Sequence, residues 1–126
     1  MKSLTQTYLI NAPVEKVWEA LTDPQVIDDW GAGPAKMSEE EGEEFEIWGG
    51  DIHGKNIKVV KNKELVQDWM AGEWDEFSRV TFKLEQKGKK CEVELIQENI
   101  PDSEYKEIAD GWKSFYMNPL KELLEL

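Results

Sequence analysis

His53 is the only histidine among 126 residues, so it is the only side chain whose unperturbed pKa lies near neutrality. It sits in "FEIWGGDIHG", where Glu46 is placed to face it across a hairpin. A histidine oriented by a carboxylate is part of the machinery that activates a nucleophile. Neither Ser nor Cys occupies that hairpin, so the pairing predicts a partly exposed cross-strand contact. Cys91, the single cysteine, excludes an internal disulfide and any multi-cysteine metal site. It lies in a β-patterned run with no helix N-terminus to lower its pKa, and it reads as a small buried hydrophobe. "SEEEGEEFE" concentrates carboxylates but lacks the alternating Asp/Asn spacing of a calcium loop, and reads as a solvated acidic turn. These residues predict no catalytic group, no metal and no cofactor.

Tryptophan is the other chemically suggestive residue. Six indoles are hard to hide in the solid core of so short a chain, so some are expected to line a groove or cavity. The formal charge of −12 opposes nucleic acid and anionic lipid surfaces, and Arg79 is the only arginine. The lysine clusters at 55–63 and 83–90 read as solvated strand and turn faces. No run is apolar enough for a signal peptide or a membrane span, which predicts a cytoplasmic protein without membrane insertion.

The elements that must position these groups follow from periodicity. Residues 3–10 read as a strand. "NAPVEKVWEAL" is an amphipathic helix with Pro13 at its first position, and "TDPQVIDDW" a second, capped by Asp23 with Pro24 following. "GAGPAKM" leads into a short strand. A two-residue Gly49-Gly50 turn sets Ile47 against Ile52, Phe45 against Gly54, Glu46 against His53 and Glu44 against Lys55. Parity then fails at Ile57, which predicts a bulge near Asn56. "ELVQDWMAGEW" is a strand, and a hairpin around Gly88 places Val80, Phe82, Leu84, Cys91, Val93 and Leu95 on one face. Residues 102–124 form one helix, capped by Asp102 or Ser103. Its apolar stripe includes Tyr105, Ile108, Trp112, Phe115, Tyr116 and Leu120, and Pro119 should kink it. The order predicts one α+β domain over residues 1–126, an antiparallel sheet of about six to seven strands with helices on one face.

"APVEKVWEALTDP", "GEEFEIWGGDIHG", "LVQDW", "VTFKLEQKGKKCEVELIQENIP" and "GWKSFYMNPLKELL", in that order, cover nearly the whole chain. Together they resemble the helix-grip superfamily of START domains and birch-pollen allergens. Within it they are most similar to homologues of the activator of heat-shock-protein-90 ATPase, in that protein's C-terminal part. Met70 stands where many relatives carry Arg. The resemblance implies a curved sheet gripping the long C-terminal helix around an apolar cavity. The residues expected to line it are Trp18, Trp30, Phe45, Ile47, Trp69, Val80, Phe82, Val93, Leu95, Trp112, Phe115 and Tyr116, with Tyr116 and Gln97 the best polar candidates. The first functional expectation is a non-enzymatic domain holding a small apolar molecule, such as a lipid, in that cavity. The second is a chaperone-associated or other protein-interaction module with a stress-response, co-chaperone role. The third is a cavity enzyme of cyclase or hydrolase type.

Overall fold

The computed structural model describes residues 1–72 and 74–126. Strand β1 (Lys2–Ile10) is followed by helices α1 (Val14–Thr22) and α2 (Pro24–Trp30). Strands β2 (Glu44–Ile47), β3 (Ile52–Val60), β4 (Glu64–Ala71), β5 (Ser78–Lys87) and β6 (Lys90–Ile100) come next. The C-terminal helix consists of α3 (Tyr105–Gly111), a π-helical segment (Trp112–Met117) and α4 (Asn118–Leu124). Among the described residues the strands form one six-stranded antiparallel sheet in the order β1-β6-β5-β4-β3-β2. This is the expected α+β helix-grip architecture.

The two short helices begin and end for local reasons. The Asp23 side chain accepts from the Gln25 amide at 2.9 Å, capping α2 with Pro24 as its first residue. Gly31 closes α2 in the left-handed region at φ 110°. Pro13 takes the cap position of α1, one residue ahead of the expected place. The 31–37 segment forms a single bridge, Lys36 to Glu46, in place of the expected strand. Pro34 has no N–H to give a ladder, and the segment is tied to the hairpin tip by Trp48 N–H to Ala32 O and Gly49 N–H to Pro34 O.

The β2–β3 register is the expected one, Ile47 to Ile52 and Phe45 to Gly54. The connection is longer than expected: Trp48–Gly50 form a 3₁₀ turn, capped by Asp51, with positive φ at Trp48, Gly49 and Gly50. Gly54 has no room for a side chain, because a Cβ there would lie 1.7 Å from the Asp68 carbonyl oxygen and 3.1 Å from the Phe45 ring. The β3–β4 register slips between Asn56 and Lys58, the predicted bulge. The Val59 amide is accepted by Glu41 Oε1 at 2.9 Å, so one carboxylate of the acidic turn holds this stretch of backbone.

The C-terminal helix starts differently from expectation. Neither Asp102 nor Ser103 makes a capping bond; a 3₁₀ turn (Asp102–Glu104) leads in, and Asp102 pairs with the N-terminal amine at 3.1 Å. The irregularity expected at Pro119 takes the form of the π segment just ahead of it, closed by the Asn118 amide bonding back to Lys113 O. Between helix and sheet lies the core, with Val80, Phe82, Val93 and Leu95 each fully buried.

Candidate functional site: an aromatic hollow beside the C-terminal helix

Aromatic rings fill the space where an apolar cavity was expected. Trp30 and Tyr116 lie 4.6 Å apart between ring centroids, as closely as Trp112 and Tyr116 at 4.8 Å. Phe82 stacks on Tyr116 at 5.7 Å, and Trp69 sits 4.8 Å from Trp112. These spacings are those of contacting rings, which leave no room for a guest. Trp18, Trp30, Phe45, Ile47, Val80, Phe82, Val93 and Leu95 are therefore core residues in this structure.

Trp69, Trp112, Phe115 and Tyr116 do border a hollow, of about 270 Å³, which opens at one end of the cluster. Its sheet wall comes from Ile52, Trp69, Ala71 and Gln97, and its helix wall from Glu104, Glu107, Ile108 and Gly111. Trp48 from the hairpin tip and Trp74 complete it. A wider depression elsewhere, of about 640 Å³ against Lys83, Glu85, Glu92 and Glu94, is lined mostly by charged side chains, so size alone does not mark the site.

Phe115 corrects an expectation: it is 69% exposed at the rim of the hollow, while Met117, off the expected stripe, is fully buried. The π segment explains both. An α-helix advances about 100° per residue, whereas the wider π turn advances only about 80°. Starting from an inward Trp112, the π geometry brings Tyr116 and Met117 to either side of the inward direction and swings Phe115 away from it.

The polar atoms around the cluster are arranged in two chains. Trp112 Nε1 donates to Gln97 Oε1 at 2.6 Å; Gln97 Nε2 donates to Ser78 Oγ at 2.9 Å, and Ser78 Oγ to Glu98 O at 2.7 Å. Trp69 Nε1 donates to Gln67 Oε1 at 2.8 Å, and Gln67 Nε2 to Asn56 Oδ1 at 2.9 Å; Asn56 Nδ2 then reaches Ser38 O at 3.0 Å. Gln67 and Gln97 are polar residues at inward strand positions, and each satisfies a buried indole N–H. Tyr116 differs: it is 3% exposed, it borders the hollow, and its hydroxyl has no hydrogen-bond partner among the described residues. Burial raises its pKa, which keeps the phenol neutral.

Trp48 is held at φ 50°, a region that bulky residues rarely occupy and that costs of order 1 kcal/mol or more. Its ring lies 6.3 Å from Tyr116 in an edge-on arrangement, so the strained turn carries an indole to the mouth of the hollow. Periodicity could not select Trp48, Trp74, Glu104 or Glu107, because a turn, a connection and the start of a helix bring them together.

The other candidates are placed elsewhere. His53 is exposed on β3, opposite Glu46, whose carboxylate pairs with Lys36 at 3.4 Å. Cys91 is fully buried, and burial pushes its thiol up to about 11, away from the reactive thiolate. In the acidic turn Glu39 accepts from Trp18 Nε1.

A curved antiparallel sheet closed by a long C-terminal helix, with aromatic side chains packed between them, defines a helix-grip domain. Residues 11–125 match the family described as activator of Hsp90 ATPase homolog 1-like protein, and the chain belongs to that family. The human activator of 90 kDa heat shock protein ATPase homolog 1 is 25% identical over 122 residues, covering 95% of this chain and 36% of that protein. The Dictyostelium discoideum homologue is 33% identical over 85 residues, 65% of this chain and 22% of that protein. The chain thus spans little more than a third of such curated relatives, 36% and 38% of the first two matched. Among solved structures, an HSP90 activator from Plasmodium falciparum superposes with a TM-score of 0.89 at 23% identity, covering 99% of this chain and 97% of that one. The Aha1 dimer from Colwellia psychrerythraea gives 0.84 at 20% identity, covering 100% and 98%.

Proposed function

We propose that this chain is a non-enzymatic, cytoplasmic protein-interaction module whose partner is a chaperone of the 90 kDa heat-shock class. The names of its relatives point to that partner. The observation that carries the reading is the filled interior: with aromatic rings in contact between sheet and helix, binding falls to the surface and to the open hollow. Nothing at His53 or Cys91 assembles a nucleophile with a base. The net charge of −12 favours a partner surface of opposite sign, so association should weaken as salt rises. The test is to titrate the chain into a 90 kDa heat-shock chaperone, following association and chaperone ATPase rate at low and high salt. Saturable, salt-sensitive association is expected. No association at about 100 μM chaperone, where even a weak complex of about −5.5 kcal/mol would be half-formed, would sink the reading.

A small apolar ligand is a second reading, favoured by the aromatic lining of the hollow. At about 270 Å³ the space falls just below the usual ~300–1,000 Å³ of small-molecule sites, so a guest would be fragment-sized and weakly held. A hydrophobic fluorescent probe that shifts the melting temperature with concentration would support it.

A further inference from the structure

We propose that the hollow is a socket for one arginine side chain of a protein partner, presented between apolar neighbours. This rests on the interaction-module reading and names the chemistry it would recognise. Three observations lead there.

The first is the lining. Trp48, Trp69, Trp74 and Trp112 surround the space, and the negative faces of indole rings attract cations, a guanidinium more often than an ammonium. The second is charge. Glu104 and Glu107 stand three residues apart on the helix wall, neither forms an ion pair among the described residues, and no cationic side chain lines the space. Lys2 lies over the Tyr105 ring at 5.0 Å and the N-terminal amine pairs with Asp102, so neither of these two cations serves the pair of carboxylates. The third is Tyr116, a buried side chain bordering the hollow whose hydroxyl has no hydrogen-bond partner among the described residues and can accept from an N–H. Indoles, two carboxylates and a phenol oxygen together match the planar, donor-rich, stackable guanidinium better than a compact ammonium. The volume also suits a single long side chain.

The test uses the full chain and acetyl-Ala-Leu-Arg-Leu-Ala-amide, with Trp fluorescence and calorimetry as readouts. Companion peptides replace Arg by citrulline, which keeps the shape and loses the charge, or by Lys. The Arg peptide is expected to change the indole emission and to bind about tenfold more tightly than the citrulline peptide, with Lys between them. The double variant Glu104→Gln/Glu107→Gln, checked for an unchanged melting temperature, should lose several-fold in affinity and lose salt sensitivity. Equal binding of the Arg and citrulline peptides would overturn the proposal, as would no response to the Arg peptide. N-acetylarginine amide binding as tightly as the pentapeptide would replace the protein partner by a small guanidinium compound, and would also overturn it. If the chaperone binds the double variant and the parent equally, the socket is wrong and the interaction module stands. If the chaperone fails to bind while the Arg peptide binds through the carboxylates, the socket stands and the chaperone assignment falls.

Discussion

The two halves of the C-terminal helix meet opposite conditions. Helix α4 packs against α1 and α2, and Leu120 is fully buried there, as is Met117 just before it. Helix α3 has no buried residue, and its inner side forms a wall of the open hollow. The same side-chain types occur at both ends. Trp30, carried by α2, closes one end of the cluster by lying on Tyr116, whereas Trp48 and Trp74 at the other end are only partly buried. The paired short helices therefore do more than fill a connection. They seal one end of the grip, and the grip stays open where they do not reach.

The largest effect should come from breaking the sealed end. Trp30 is 5% exposed and its Nε1 donates to Ala20 O at 2.9 Å, joining α2 to α1. Trp30→Ala removes a buried ring and that bond, and should lower stability by about 3–5 kcal/mol in urea denaturation. A loss below about 1 kcal/mol would mean that this end is as loosely packed as the other.

Gly54→Ala probes the wall that both ends share. The added Cβ would collide with the Asp68 backbone oxygen, which a side-chain movement cannot relieve, so β3 and β4 must separate locally. A loss of about 2–3 kcal/mol is expected, as for overpacking of a tight site. Thermal melts showing no change would contradict this close approach.

Gln97→Leu tests the boundary between filled core and open hollow. Gln97 is 1% exposed and links Trp112 to Ser78. Leucine fills similar space but leaves the Trp112 N–H and the Ser78 hydroxyl without that partner. Leaving buried polar groups unpaired should reduce stability by about 1–3 kcal/mol and shift the Trp112 emission. Equal stability would imply that water from the hollow takes over these bonds.

How much of this was legible in the sequence depends on which period governed each part. The sheet follows a period of two, so the pairing of Ile47 with Ile52 and the bulge near Asn56 could be read from parity alone. The helix was harder, because a stripe drawn at the α-helical period assigns Phe115 inward and omits Met117. Nothing in the residue types announces that the turns widen at Trp112. The hollow was harder still. Whether aromatic residues enclose a space or fill it depends on ring-to-ring distances, and Trp69 and Trp112 at 4.8 Å fill what resemblance to a hollow superfamily implied would be empty. Glu104 and Glu107 carry no signal of their own in the sequence, since the indoles they stand beside lie far away along the chain.

The smallest effect should come from Phe115→Ala at the open end, and it is also the sharpest test of the π segment. With the ring 69% exposed, its removal should change stability by no more than about 0.5 kcal/mol, the range of surface substitutions. His53→Ala, exposed on β3, sets the scale for such a change. If the helix instead ran as a regular α-helix through Trp112–Met117, Phe115 would turn toward the sheet, and truncation would cost about 3 kcal/mol or more. The two geometries thus differ by several kcal/mol in one denaturation curve. Met117→Ala gives the reciprocal reading, because Met117 is fully buried only in the π arrangement. A stable Phe115→Ala beside a Met117→Ala weakened by about 2 kcal/mol or more supports the widened turn, and the reverse pattern would remove it together with the rim it gives the hollow.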